Sequence, residues 1–427
     1  MNNDIAVIST FFNPLKYKNR YETYLRFQDF IYDCGLKDHF YISELLYDEE
    51  EPFIKHENVI RFKVKDIFWH KERALNLTAK ILPKQYSKII WVDADVIWFS
   101  KNWWKKVSKL LDEYNIIQPY SHCQNLNKNF SLDRKYKSQI YSVIFYNKNT
   151  SKQMEYGAPG GSMAYKREFF ENIGLYDRCI VGGGDYKSIY SIFGLELPMR
   201  DKSFDFKINE YANIIKKYIG NKYYYLDEIM YHLYHGRKFE RQYSKRYQLI
   251  KNFNFYDLCE EDENGLYKFK STVTNELKLK FINYFKNRNE DWEPLIIPLY
   301  KPYLVEHSKN NIFKWMPPEC EYELHNIKSI KLQICRMGNA LTTPYLNVIS
   351  NGKFKQYLLN LDKDTEIVIP ISEKKGIFKL ILIGKGFIPE KVFINNSDVR
   401  KLSYVINNVK ILQHDKEEFE DYPVDAM

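Results

Sequence analysis

No stretch of this 427-residue chain approaches the roughly 20 consecutive apolar residues that a membrane-spanning helix needs. The first ten residues, MNNDIAVIST, lack the basic and apolar regions of a secretory leader. The six cysteines (Cys34, Cys123, Cys179, Cys259, Cys320 and Cys335) lie far apart, and no Cys-x-x-Cys pair exists to frame a zinc or redox site. These absences lead to the expectation of a soluble, cytoplasmic protein with reduced thiols, with peripheral attachment to a membrane complex left open. No internal repeat is present. Basic residues outnumber acidic ones, 64 to 55, but they are spread along the chain, so no nucleic-acid-binding face is expected. What the chain has in quantity is apolar and aromatic residues, 44% and 17%, enough for sizeable cores in two or three domains.

Two textures divide the chain. In the first part, short β-type runs (Ile5–Thr10, Phe40–Leu46, Val59–Val64, Ile116–Gln118) alternate with segments of helical periodicity (Tyr21–Cys34, Lys71–Leu82, Trp103–Leu111). Leu75, Ala79 and Leu82 share one face of the second helix, and Pro83 stops it. This alternation predicts an α/β, Rossmann-like layer built on a mainly parallel sheet, over residues 1–255. Residues 256–294 read as a connector. From 295 to 427 the runs Ser329–Ile334, Tyr345–Ser350, Phe354–Leu359, Glu366–Ile371 and Phe378–Ile383 are separated by turn signals at Asn351-Gly352 and Gly384-Lys385-Gly386. They predict an all-β sandwich of jelly-roll type, either carbohydrate-binding or structural.

The most informative segment is Lys88–Phe99, KIIWVDADVIWF. A buried strand ends in Asp93-Ala94-Asp95, and apolar residues resume at once. The pair reads either as a turn closed by side-chain hydrogen bonds or as oxygen ligands for Mn²⁺ or Mg²⁺, which would offset the cost of burying two carboxylates. In open α/β sheets, ligands bind beyond the carboxyl ends of the strands, where this pair falls. Gly157-Ala-Pro-Gly-Gly161, after Tyr156, either forms an ordinary turn or lets backbone approach a ligand closely. Asp185, after three glycines, is either a helix N-cap or a catalytic base on a flexible hinge. His232 and His235 are packed side chains or metal ligands, and Arg237, Arg241 and Arg246 follow them as candidate phosphate contacts. Trp69–Asn76 opens the helix before the acidic strand, where Lys71 and Arg73 suit a nucleotide and Glu72 suits a local ion pair.

In this order the pieces resemble a glycosyltransferase of the GT-A fold, and most closely the β-1,4-galactosyltransferase type with related bacterial and viral sequences. The likeness covers roughly residues 5 to 240. It implies a donor site at Thr10, Phe11, Lys71, Arg73, Asn76, Asp93, Gly160 and Gly161. It also implies a metal held by Asp95 with Asp93 and either His235 or His232, and Asp185 as the catalytic base. The implied reaction moves a hexose from a nucleotide diphosphate sugar, UDP-linked, to a hydroxyl of a glycan or glycoconjugate, with inversion. A retaining transferase and a non-catalytic carbohydrate-binding protein are the alternatives. A nucleotidyltransferase would carry a Gly- and basic-rich loop after the first strand, and Ser9-Thr10-Phe11-Phe12-Asn13 is not one. Three positions depart from the family pattern: Lys71 stands where an Arg is usual, Val181 where a Trp is usual, and Gly184 where an acid is usual.

Overall fold

A computed structural model describes residues 4–47, 50–126, 140–149, 157–194, 199–236, 241 and 245–291, and thereafter 296–298, 305–307, 312–316, 319–325, 327–334, 345–350, 353–358, 365–371, 375–383, 404–413, 418 and 420–422. The chain divides into two compact units, Met1–Trp292 and Glu293–Met427.

The first unit begins β1 (Ile5–Phe12), α1 (Lys18–Asp33), β2 (Phe40–Tyr47), β3 (Val59–Val64), α2 (Lys71–Ile81), β4 (Lys88–Val92), β5 (Val96–Trp98), α3 (Trp103–Glu113) and β6 (Ile116–Gln118). It continues β7 (His122–Asn125), β8 (Ile140–Tyr141), α4 (Val143–Asn149), β9 (Ser162–Lys166), α5 (Arg167–Asn172), α6 (Gly184–Phe193), α7 (Met199–Phe204), α8 (Ile208–Ile219), β10 (Tyr223–Tyr225) and β11 (Ile229–His232). Seven strands form the main sheet in the order β10-β6-β9-β4-β1-β2-β3. Neighbours pair in parallel except at β9, which runs antiparallel to both β4 and β6. The fold is therefore mixed α/β on a mainly parallel sheet.

Both faces of this sheet are covered, which is why Ile5–Ile8 of β1 and Ile89–Val92 of β4 are unbroken apolar runs. Side chains alternate between the faces. Ile5, Val7, Ile90 and Val92 join a core with Tyr24, Phe27 and Ile31 of α1 and Trp103, Val107 and Leu111 of α3. Ala6, Ile8, Ile89 and Trp91 join the opposite core, with Leu75 and Ala79 of α2, Phe169 and Phe170 of α5, and Ile208 and Ile215 of α8. No helix among the described residues is long and apolar enough to cross a membrane. Cys34, Cys123, Cys179 and Cys259 are free and buried.

One expectation needs correcting. Residues 256–294 do not run as a simple connector. After α9 (Arg246–Ile250), the elements α10 (Phe255–Leu258), β12 (Cys259–Glu261), β13 (Tyr267–Phe269) and α11 (Asn275–Lys286) fold into the first unit. Phe255, Tyr267, Phe269 and Phe281 share a core with Phe68, Ile180 and Val181. Too few of these aromatics fall at one spacing to announce an element, so only the tertiary contacts make them a core. The first unit thus runs well past residue 255.

The second unit contains β14 (Ile296–Pro298), β15 (Val305–His307), β16 (Ile312–Met316), β17 (Glu319–His325), β18 (Ile327–Ile334), β19 (Tyr345–Ser350), β20 (Lys353–Leu358), β21 (Thr365–Pro370), β22 (Lys375–Ile383), β23 (Tyr404–Gln413) and β24 (Glu420–Tyr422). They form two sheets, β14-β17-β22-β19-β20 and β15-β16-β23-β18-β21 with β24 on β23. Every recorded pairing is antiparallel. On β21, Ile367 and Ile369 are buried while Glu366, Val368 and Pro370 are exposed, so this sheet buries one face. The turn signals at 351–352 and 384–386 lie outside the described residues, as do Tyr156 and Arg237.

Candidate functional site

The chemistry-bearing residues of the first unit converge on one cleft of about 540 Å³ at the carboxyl ends of β1 and β4. The DAD segment gets there by simple chain mechanics. All five residues of β4 are buried between β1 and β9. The strand stops at Asp93, the chain turns through Ala94 and Asp95, and β5 leaves in a second sheet. There β5 pairs antiparallel with β11, setting His232 opposite Val96. The amide of Leu233 donates to the Asp95 carbonyl at 2.8 Å. His232 and His235, far from Asp95 in sequence, are thereby delivered to its carboxylate.

His235 Nε2 lies 3.0 Å from Asp95 Oδ2, His232 Nε2 lies 3.9 Å from Asp95 Oδ1, and the two Nε2 atoms are 3.4 Å apart. One ligand atom from each of the three residues lies within 4.8 Å of the other two. Asp95 Oδ1 is buried and accepts no hydrogen bond. Burial pushes His232 down to about 3, despite the opposing pull of Asp95, so this ring is neutral and offers a lone pair. Burial would raise Asp95, but the two imidazoles outweigh it and hold the carboxyl well below its ordinary range. One carboxylate and two imidazoles converging on one point fit a divalent first-row metal.

Asp93 is held differently. Its Oδ2 accepts from the Gly161 amide at 3.2 Å, and its own amide donates to the Gly161 carbonyl at 2.8 Å. Its Oδ1 pairs with Lys71 Nζ at 3.1 Å. Burial pushes Asp93 up to about 6, helped by the Asp95 and Asp185 carboxylates and opposed by Lys71. Asp185 lines the same cleft from the first turn of α6, with Oδ1 accepting from the Tyr186 amide. It is not an N-cap: Gly183, in the left-handed conformation at φ 98°, holds that position. The Gly160 Cα stands so close to Asp185 that an added Cβ would lie 2.2 Å from its Oδ2.

Glu72 is a residue whose role sequence reasoning reduced to a local ion pair. It is 3% exposed, lies 3.7 Å from Lys71 Nζ, and neither carboxylate oxygen has a hydrogen-bond partner. Burial, with Asp185 adding and Lys71 opposing, pushes it from 4.5 up to about 7. The folded state therefore binds this proton more tightly than the unfolded chain, and stability falls as pH rises from about 4.5 through about 7. The shift corresponds to roughly 3 kcal/mol lost once Glu72 is ionised. Glu72→Gln should raise the melting temperature of the metal-free protein at about pH 8, with the gain shrinking toward about pH 5. An equal gain at both pH values would contradict the assignment.

Thr10, Phe11, Lys71, Asp93, Asp95, Asp185, His232 and His235 all line the cleft. Gly160 and Gly161 stand behind it, between Asp93 and Asp185. Arg73 and Asn76 do not reach it. They occupy adjacent turns on another face of α2, because residues three apart share a face. Asn76 Nδ2 donates to the Leu175 carbonyl at 2.9 Å and to Asp177 at 3.1 Å, and its Oδ1 accepts from the Leu175 amide at 2.7 Å. Arg73 bonds to Asp177 at 3.2 Å, to Glu261 at 2.8 Å and to the Gly265 carbonyl at 2.5 Å. Both side chains brace α2 against Leu175 and Asp177, and Arg73 also against Glu261 and Gly265. Arg20, Arg241, Arg246, Tyr247 and Arg288 line the cleft as well, and of these the sequence points to Arg241 and Arg246.

No protein-family model matches the chain, and no curated protein matches it. Among solved structures, a mutant of Drosophila β1,4-galactosyltransferase 7 in complex with manganese, UDP-Gal and xylobiose is 16% identical, with a TM-score of 0.26, over 45% of this chain and 62% of that one. The catalytic domain of the same Drosophila enzyme with xylobiose is 15% identical, with a TM-score of 0.25, over 45% and 62%. A carbohydrate esterase of family two from Clostridium thermocellum is 12% identical, with a TM-score of 0.18, over 28% and 33%. This chain spans less than two thirds of the galactosyltransferase structures it matches. Likenesses this remote assign no function.

Proposed function

We propose that the first unit is a metal-dependent glycosyltransferase that moves a hexose from a nucleotide diphosphate sugar, UDP-linked, to a glycan hydroxyl with inversion. The carrying observation is that the Asp95–His232–His235 cluster and Asp185 line one cleft at the sheet's carboxyl edge. Asp95, His232 and His235 would hold the ion. Two nitrogen ligands favour Mn²⁺ over Mg²⁺, which prefers oxygen. Bound there, the ion supplies charge stabilisation for a departing diphosphate.

The chain's own residues do the rest. Lys71 and the arginines lining the cleft place positive charge beside the phosphates. Asp93, gripped by the Gly161 amide and Lys71, presents an oxygen to the donor or its ion. Asp185 accepts the proton of the acceptor hydroxyl as that oxygen bonds to the anomeric carbon, and the bond from that carbon to the diphosphate oxygen breaks on the opposite face. One displacement of this kind inverts the configuration. The second unit, with its alternating burial and all-antiparallel sheets, is read as a jelly-roll sandwich.

The test is a panel of nucleotide sugars scored by thermal stabilisation with and without Mn²⁺. A ligand at a hundred times its Kd adds about 2.7 kcal/mol, which is readily seen. A UDP-hexose should stabilise the protein only when the divalent ion is present. Stabilisation by no nucleotide sugar, or an equal shift with EDTA, would reject the proposal. Product anomers read by NMR separate inversion from retention.

A further inference from the structure

We propose that Glu290 is a positioning residue of the metal centre, fixing His235 for a divalent cation from a segment far down the chain. The inference rests on the metal reading of Asp95, His232 and His235. Glu290 is 2% exposed and follows α11 by a few residues. Its Oε2 lies 3.2 Å from His235 Nδ1 and 2.6 Å from Arg20 Nε, and its Oε1 lies 2.8 Å from an Arg288 Nη2. A carboxylate flanked by two guanidiniums is ionised and has no proton to give, so Nδ1 must donate to it. The ring is thereby held with Nε2 facing Asp95 and His232. A carboxylate behind a ligating imidazole fixes its tautomer and orientation and raises its basicity toward a metal.

The backbone is engaged too. Gly236, directly after His235, has φ 89°, and a Cβ there would lie 2.9 Å from both the Asn289 carbonyl oxygen and the Glu290 Cα. Residues 289–290 are therefore pressed onto the peptide that carries His235. The segment is in turn locked to the start of α1. Asp291 accepts from the amides of Lys18 and Asn19 at 2.8 and 2.7 Å, Asn19 Nδ2 donates to the Glu290 carbonyl at 2.8 Å, and Tyr17 Oη donates to the Arg288 carbonyl. The metal centre is thus completed by residues beyond the reach of the GT-A resemblance, which ends near residue 240.

The test titrates Mn²⁺ into the full chain without sugar nucleotide, by calorimetry and by the loss of the free-ion EPR signal. Glu290→Ala should weaken binding about 10- to 100-fold. Glu290→Gln, which keeps the shape and an acceptor but not the charge, should weaken it at least about 5-fold and shift the visible spectrum of the Co²⁺ form. Thr274→Ala is the structural control. It removes the side-chain cap of α11, where Thr274 accepts from the Leu277 amide, and should lower the melting temperature while leaving Mn²⁺ affinity within about 2-fold. If Glu290→Ala fails to fold, the folded Glu290→Gln variant decides. Wild-type affinity and an unchanged Co²⁺ spectrum in Glu290→Gln would overturn the inference and leave the metal site standing. Absence of Mn²⁺ and Co²⁺ binding by the wild type would instead remove the metal reading beneath it.

Discussion

Asp95→Ala should abolish specific divalent-cation binding and lower transfer by roughly a thousandfold or more, equivalent to about 4 kcal/mol of transition-state stabilisation. Asp95 supplies the only carboxylate of the Asp95–His232–His235 cluster, and its Oδ1 is a buried acceptor without a donor. Two imidazoles alone bring no negative charge to offset that of an incoming ion. The substitution should spare the fold. The backbone bond from Leu233 to the residue 95 carbonyl does not need the side chain. Removing one of several crowded carboxylates also relieves the repulsion that helps raise Asp93. Mn²⁺ titration and a single-turnover transfer assay, with circular dichroism as the control, read the outcome. A folded Asp95→Ala protein with wild-type Mn²⁺ affinity would refute the cluster's role. Asp93→Asn should be milder, because an amide oxygen can still accept from the Gly161 amide.

The sequence announces those parts of the fold whose burial is periodic. Strands β1 and β4 are buried on both faces and carry the continuous apolar runs Ile5–Ile8 and Ile89–Val92, β2 is mostly apolar around Ser43 and Glu44, and α2 shows a single apolar face that ends at Pro83. Strands β7 and β11, HCQN and IMYH, carry no such pattern, because pairing with each other and with β5 defines them. The approach of His232 to Asp95 follows from that pairing, so the residues alone left both histidines open and only the resemblance named them. Arg73 and Asn76 were assigned to the donor from their place in the motif. Helical phase turned them to Asp177 instead. Glu290 had no local signal at all: it lies in a stretch that reads as a connector, and its function exists only through Arg20, Arg288 and His235.

Gly160→Ala should leave donor binding nearly intact and still cut turnover about a hundredfold, the scale of a 1 Å misplacement of a catalytic group. Unlike its neighbour Gly161 at φ 86°, Gly160 does not have a left-handed backbone, so alanine is tolerated there locally. Its Cβ would, however, meet Asp185 Oδ2 at 2.2 Å, closer than real atoms approach. The Gly160 peptide cannot retreat easily, since its carbonyl accepts from Tyr120 Oη at 2.5 Å. The side chain of Asp185 yields instead, because it is the flexible partner, and rotates off the position from which it would take the acceptor's proton. Asp185→Asn keeps the shape and removes the base, with an expected loss of about 10²- to 10⁴-fold. If both substitutions act through one carboxylate, the double variant should be no slower than Asp185→Asn alone, as expected of groups that work as a unit. Losses that multiply would show that Gly160 acts independently of Asp185, and full activity in Asp185→Asn would take the base away from that residue.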